Sequence, residues 1–334
     1  MRLTRSVATL TLGVMLAASA CGGGGDSSSS DEVTQVDYLT SFNTFGRDSY
    51  VYVAQEKGYF KDAGIEVSIK PGSGSVDVMK LVASGRADFG PADFPAVATT
   101  VANEDLPVTA VAMIHQKTLA ALISLEGYGI EKPADLEGKK IADTPGSTVQ
   151  VNFAAYAKAA GIDPAKVEFV PAAPPALPQL LASRKVDVVG QFVIGGGLMS
   201  AAAEGKPAVI LPYGDFLDDL YGMALVTSKK LAESDPELVK AFTEALLKGL
   251  QYAIDHPQEA GEILKKHVPA QDAAVAAREV ELMAAYVRGT ESAPIGSVSK
   301  DKVSKAIATL ADADVLRADI TPEDLVDFDL TPQG

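Results

Sequence analysis

The spacing of apolar positions changes once within residues 36–60, and the rest of the chain can be read around that change. Val36, Tyr38 and Thr40 alternate with Asp37 and Leu39 as on a short strand. Residues 41–46 then offer the polar, aromatic and glycine positions of a loop. Beyond them Tyr50, Val53 and Ala54 fall at helical spacing, with Asp48 or Ser49 placed to cap the helix and Gly58 to end it in the left-handed conformation. In open α/β sheets ligands sit where such loops leave the carboxyl ends of strands, so Ser41, Phe42, Asn43, Phe45 and Arg47 are binding candidates. The plain alternative is an ordinary first strand–helix unit.

The pattern continues in the same style. A strand is predicted over 65–69, a helix after the glycines and serines of 72–75 with Val78, Leu81 and Val82 inward, and a stop at Gly85. A third strand is predicted over 87–90, a loop over 91–94 holding Asp93 and Phe94, a helix to Asn103 and a fourth strand over 108–113. The glycines near residue 72 form neither a phosphate loop with its lysine nor a dinucleotide fingerprint, which excludes nucleotide binding there.

A short internal repeat divides the chain. Leu81-Val82-Ala83-Ser84-Gly85-Arg86-Ala87-Asp88 has a counterpart in Leu180-Leu181-Ala182-Ser183-Arg184-Lys185-Val186-Asp187, in which an apolar helix end passes through a basic turn into a strand. The second half would hold a strand over 140–143, the turn Thr144-Pro145-Gly146, a helix over 147–160 stopped by Gly161, and a strand over 167–170. Residues 111–125, interrupted by His115-Gln116-Lys117, and residues 221–227 read as two crossings between lobes. The expected fold is therefore α/β and two-lobed, each lobe a mainly parallel sheet flanked by helices. The expected boundaries are 34–115 for the first part of lobe 1, 116–220 for lobe 2, and 221–334 for the return crossing, the rest of lobe 1 and the C-terminal helices. Gln191, Phe192, Tyr213 and Asp215 follow predicted strands and are expected at the same cleft, with core packing an equal reading for Phe94 and Phe192.

Composition narrows the chemistry. Cys21 is the single cysteine, so no disulfide or thiolate metal site is expected. A formal charge of −15 disfavours nucleic acid and anionic lipid surfaces. The three histidines stand far apart, with no HExxH, and no serine lies in GxSxG, so no catalytic residue, cofactor or metal is assigned. Arg2 and Arg5, the apolar run from Val7 to Ala18 and Ala18-Ser19-Ala20-Cys21 make residues 1–20 an export signal. Small residues before a lone cysteine resemble a bacterial lipoprotein signal, which implies acylation of Cys21 and a membrane lipid anchor on an extracytoplasmic protein. A plain secretory signal is the alternative. Residues 21–33 then read as a flexible Gly/Ser tether.

Several ordered motifs carry a further resemblance: Glu56-Lys57-Gly58-Tyr59-Phe60, Ala63-Gly64-Ile65, the run from Ala83 to Gly90, and the run from Pro133 to Ile141. They resemble the solute-binding proteins of ABC importers, in the branch that takes up thiamine pyrimidine precursors, nitrate, sulfonates and taurine. The resemblance implies a periplasmic-binding-protein fold of type II-like design that closes on a small molecule and meets a membrane permease, most simply as a monomer and not as an enzyme. Pyrimidine-precursor members carry a ligand-stacking tryptophan where Phe42 stands and a histidine where Asp48 stands. Phe42 can still stack on a flat ring. Gly146, Ser147 and Thr148 look more like sulfonate-type members, whose donors face an anion at a helix start, and Arg47 could pair with such an anion. A related fungal enzyme that makes the thiamine pyrimidine differs by a cysteine-rich motif missing from this sequence. The expected cargo is an aromatic heterocycle, with a small anion, or a sensor role for the same cleft, as alternatives.

Overall fold

Period-two alternation becomes strand and helical spacing becomes helix along most of the chain, and a computed structural model describes residues 33–288 and 293–332. The export signal, Cys21 and most of the tether lie outside the described residues. The first segment runs β1 (Thr34–Leu39), β2 (Phe42–Asn43), α1 (Ser49–Glu56), α2 (Tyr59–Asp62), β3 (Ile65–Lys70), β4 (Gly72–Ser73), α3 (Ser75–Ala83), β5 (Phe89–Asp93), α4 (Phe94–Glu104) and β6 (Val108–Met113). The second runs β7 (Ala120–Leu125), β8 (Lys140–Asp143), α5 (Thr148–Ala160), β9 (Glu168–Pro171), α6 (Leu177–Ala182), β10 (Val188–Phe192), α7 (Gly196–Ala202) and β11 (Ala208–Pro212). The third runs β12 (Met223–Ser228), α8 (Lys229–Ser234), α9 (Pro236–Asp255), α10 (Pro257–His267), α11 (Ala273–Val287), α12 (Lys300–Asp312) and α13 (Pro322–Leu325).

Two five-stranded sheets result, in the orders β3-β1-β5-β12-β6 and β11-β7-β10-β8-β9. Within each sheet one strand opposes the others. β12 is antiparallel to β5 and β6, and β7 is antiparallel to β10 and β11. These are the first strands after the two crossings, and their direction has a simple cause. A chain that leaves one sheet at the carboxyl ends of its strands enters the other sheet from that same side, and must run away from it. The cleft between the lobes is thus ringed by the carboxyl ends of β1, β5, β6, β8 and β10 and by the starts of β7 and β12.

Packing follows the sheets. On one face of the first sheet Tyr38, Phe60 and Phe89 surround Phe242 of α9, with Phe89 and Phe242 stacked at 4.1 Å. α1 is enclosed from Ser49 to Ala54 because α9 and α10 cover it, and Gly249 lets α9 approach the backbone of Tyr50 and Ala54. On the other face the core is continuous from Val78 and Val97 to Phe153 and Tyr156 of the second lobe, so α4 packs on α5 and the lobes lie apposed.

Three local expectations change. β5 extends through Pro91 to Asp93, where a loop was expected, because β12 pairs along it from Thr227↔Phe89 to Met223↔Asp93. Within the loop of 41–46, Phe42 and Asn43 form a short ladder with Ser73 and Gly72. Asp48 precedes α1 without capping it, since its carboxylate turns back to accept from the Phe45 amide at 3.0 Å.

Candidate functional site

The loop after β1 is drawn into the cleft by its own polar groups. The Thr40 hydroxyl donates to the Asn43 carbonyl, Asn43 takes a left-handed φ of 52°, and Gly74 N–H donates to the Ser41 carbonyl. The tight turn Gly46–Asp48 follows and is pinned from outside: Glu279 of α11 accepts from Gly46 N–H at 2.7 Å, and Gln271 donates to the Thr44 carbonyl at 2.7 Å. Gly46 is required here, because a Cβ would lie 2.6 Å from the Cα of Ala276.

Arg47 is the centre of this arrangement. It is only 5% exposed, lies 3.9 Å from the Asp48 carboxylate and donates to the Ser41 hydroxyl at 3.4 Å. Its guanidinium carbon stands 5.3 Å from the Phe45 ring centroid and 4.7 Å from that of Phe192, which ends β10 in the other lobe. Phe192 packs against Leu119, Ala121, Val193 and Ile194, as does Tyr286 of α11. A cation held between rings of two lobes is an interlobe contact made by the protein alone. Burial pushes the carboxyls of Asp48 and Glu279 upward, with Arg47 opposing the shift in both.

Several buried polar atoms at the cleft end of the first sheet have no hydrogen-bond partner among the described residues. They are Asp93 Oδ1, both ring nitrogens of His115, and Nε of Arg47. Burial raises the Asp93 carboxyl to about 7. Burial, and then the charge of Arg47, lower His115 to about 3, so its imidazole is neutral at ordinary pH. Such orphaned groups are costly in a folded chain and cluster where another molecule completes them.

The second lobe presents a different surface. Ser147 caps α5 by accepting from Gln150 N–H, and its hydroxyl donates to Asp143. Gly146 N–H is taken by Gln150 Oε1 at 2.9 Å, and Thr148 begins the helix half-buried. The Asp143 carboxylate also accepts from Thr144 N–H at 2.7 Å, so a negative group already stands behind this helix start. The Gln191 side chain folds back to accept from Phe192 N–H at 2.9 Å.

Among the predicted site residues, the structure brings together Ser41, Phe45, Arg47 and Phe192. Phe42 is half-buried and Asn43 exposed on the same loop. Two residues differ from the expectation. Phe94 is wholly enclosed edge-on against Tyr221 at 5.7 Å, and Tyr213 is stacked on Tyr156 at 4.1 Å with its hydroxyl donating to the Val149 carbonyl at 3.0 Å. Both rings are spent on packing: Phe94, the first residue of α4, turns onto Tyr221, and Tyr213, just past β11, turns onto α5. The sequence reading missed Asp48 and Glu279 as neighbours of Arg47, and His115 as a cleft residue. His115 had a signal, since it stands in the first crossing. Glu279 had none, because α11 reaches the cleft only through tertiary packing.

A formylaminopyrimidine-binding protein from Halalkalibacterium halodurans is 27% identical over 218 residues, which are 65% of this chain and 65% of that one. A 4-amino-5-hydroxymethyl-2-methylpyrimidine phosphate synthase from Candida albicans is 26% identical over 223 residues, covering 63% of this chain and 64% of its own. The chain spans just under two thirds of the length of both relatives. Among solved structures, the alkanesulfonate-binding protein from Xanthomonas axonopodis pv. citri bound to MOPS superposes with a TM-score of 0.68 at 16% identity, covering 91% of this chain and 99% of that one. The fold is that of periplasmic binding proteins. A family model described as NMT1/THI5 like matches residues 49–260, more than half of the sequence, and the chain belongs to that family.

Proposed function

We propose that the chain is an extracytoplasmic solute-binding protein that holds a flat, nitrogen-bearing heterocycle between its lobes and delivers it to the permease of an ABC-type importer. The observation that carries the choice of cargo is the balance of charge at the cleft. Asp48, Asp93, Asp143 and Glu279 surround it, while its buried cation, Arg47, already has Asp48 and two aromatic rings as partners. A sulfonate or nitrate would enter a site rich in buried carboxylates, with the Gly146-Ser147-Thr148 helix start occupied by its own cap. Ring N–H and amino groups suit the free acceptor of Asp93, and the neutral imidazole of His115 offers one donor and one acceptor. Phe42 and Phe45 supply ring faces, Ser41 and Asn43 are polar positions on the same loop, and Gln191 stands near the end of β10 in the other lobe. The formylaminopyrimidine-binding relative supports the same class of cargo.

In this reading Cys21 is acylated, residues 21–33 tether the folded unit to the membrane, and the protein acts as a monomer. Replacing Cys21 by serine is expected to release the protein from the membrane fraction. The test of cargo is to denature purified protein and record the absorbance spectrum and mass of what is released, then to titrate refolded protein with aminopyrimidines, alkanesulfonates and nitrate by calorimetry. Binding of an aminopyrimidine with alanine at both Phe42 and Phe45 lowering affinity at least about tenfold, roughly one stacking contact, supports the proposal. Binding of sulfonates or nitrate alone would replace heterocycle with anion. Because a relative is named as a synthase, recovery of a chemically altered compound would replace the carrier reading with a catalytic one.

A further inference from the structure

Arg47 occupies its surroundings in a way that describes a ligand. Its guanidinium, a flat delocalised cation, has the Phe45 ring from one lobe at 5.3 Å and the Phe192 ring from the other at 4.7 Å. Asp48 lies 3.9 Å away, and Glu279 is close enough for the Arg47 charge to act on its ionisation. Two aromatic faces and two carboxylates around one position are the components by which proteins recognise organic cations. The position is also assembled from three distant parts of the chain, since Phe45 and Asp48 follow β1, Phe192 ends β10 and Glu279 lies on α11. Arg47 fills it incompletely. Its Nε has no hydrogen-bond partner among the described residues, and its bond to Ser41 is long at 3.4 Å.

We infer that the cleft contains a recognition site for a flat organic cation, such as an amidinium or a protonated aminopyrimidine, and that the guanidinium of Arg47 is its internal occupant until cargo displaces it. This rests on the carrier reading above and deepens it by assigning the cargo's charge and the groups that select it. The guanidinium supplies an interlobe contact of the kind that the cargo's ring would make.

The test uses the full chain and methylguanidinium as probe. R47A should bind methylguanidinium at least about tenfold more tightly than the wild-type protein, the equivalent of one good cation–π contact, and R47A combined with F192A should lose that gain. Equal response of R47A and wild type would overturn the inference. Should R47A fail to fold, the wild-type protein gives an independent readout: the Nε proton of Arg47 is expected to resonate upfield under the ring currents of Phe45 and Phe192, and to move downfield as 4-aminopyrimidine is titrated below neutral pH. Binding of 4-aminopyrimidine with the Arg47 signal unmoved would overturn the inference and leave the carrier reading standing. Methylguanidinium binding to R47A without any heterocycle binding to the wild type would sustain the cation site and remove the heterocycle cargo.

Discussion

The two lobes carry the same helix-to-strand turn and finish it at different cost. In lobe 1, Gly85 N–H donates to Val82 and Arg86 N–H to Leu81; in lobe 2, Arg184 N–H donates to Leu181 and Lys185 N–H to Leu180, all at 3.0 Å. The aspartate that closes each turn accepts a strand amide, Asp88 from Asp37 at 2.8 Å and Asp187 from Lys140 at 3.0 Å. Even the crossing strands agree, because Thr227 of β12 donates to the Asp88 carbonyl and Ser124 of β7 to the Asp187 carbonyl. The left-handed position is Gly85 in one lobe and Arg184, at φ 56°, in the other. A non-glycine residue there costs about 1 kcal/mol, and Arg184 offsets it by lying over Tyr128 and donating to the Gly127 carbonyl at 2.9 Å. What the lobes share is therefore backbone architecture. At the cleft they part: lobe 1 presents Asp93 Oδ1 and the His115 ring nitrogens with no hydrogen-bond partner among the described residues, and lobe 2 an Asp143 carboxylate that accepts from Thr144 N–H and the Ser147 hydroxyl.

The largest test of that contrast is pH. Asp93 has a folded-state value of about 7 against an ordinary 3.8, so the folded state holds the proton more strongly and stability falls as pH rises from about 4 to 7. His115 has about 3 against an ordinary 6.5, so the unfolded state takes up the proton first and stability is lost as pH falls from about 6.5 to 3. Each spans up to about 4–5 kcal/mol, with opposite sign over nearly the same range. The wild type should show little net slope from this pair between about pH 4 and 6.5. D93N should expose a stability that rises with pH, and H115L one that falls, in urea melts across that range. Parallel profiles for all three proteins would break the contrast.

Next in size is the second crossing. A Cβ on Gly222 would stand 2.8 Å from the Cβ of His115 and crowd the Lys117 carbonyl. G222A is expected to destabilise by about 1–3 kcal/mol, as overpacking does, and to weaken cargo binding because both crossings meet there; unchanged melting would show that the hinge yields freely. Replacing either turn aspartate by alanine, D88A or D187A, should cost about 1–2 kcal/mol each through the abandoned strand amide, and similar losses in the two lobes would confirm that the repeat is one device used twice. Smallest is G85A, about 1 kcal/mol, since nothing lies within 4 Å of the added Cβ and only the left-handed φ of 70° opposes it. R184G should nearly balance relieved strain against lost contacts, and a large change in either direction would refute the compensation by Tyr128.

Much of this molecule is local in origin. β6 over 108–113 and β8 over 140–143 lie where strand patterning puts them, Ser147 caps α5 and Gly161 ends it with φ 71°. The repeated turn was legible for the same reason: apolar helix end, basic turn and aspartate are all specified within eight residues. The cleft residues on the first loop were legible because the loop follows a strand, and their mutual arrangement was not. Whether Pro91 belongs to a loop or to β5 depends on β12, more than 130 residues further along, and whether Tyr213 faces a ligand or Tyr156 depends on where α5 lies.

By itself the sequence determined the element types and the two-lobed α/β plan, since strand period, helix period, caps and turns act over a few residues. Only the tertiary structure decided that Arg47 meets Phe192, that Glu279 reaches Gly46, and that Asp93 Oδ1 and the His115 ring nitrogens have no hydrogen-bond partner among the described residues. Burial and long-range apposition set charge and hydrogen bonding, and both depend on which distant segments the closing core brings together.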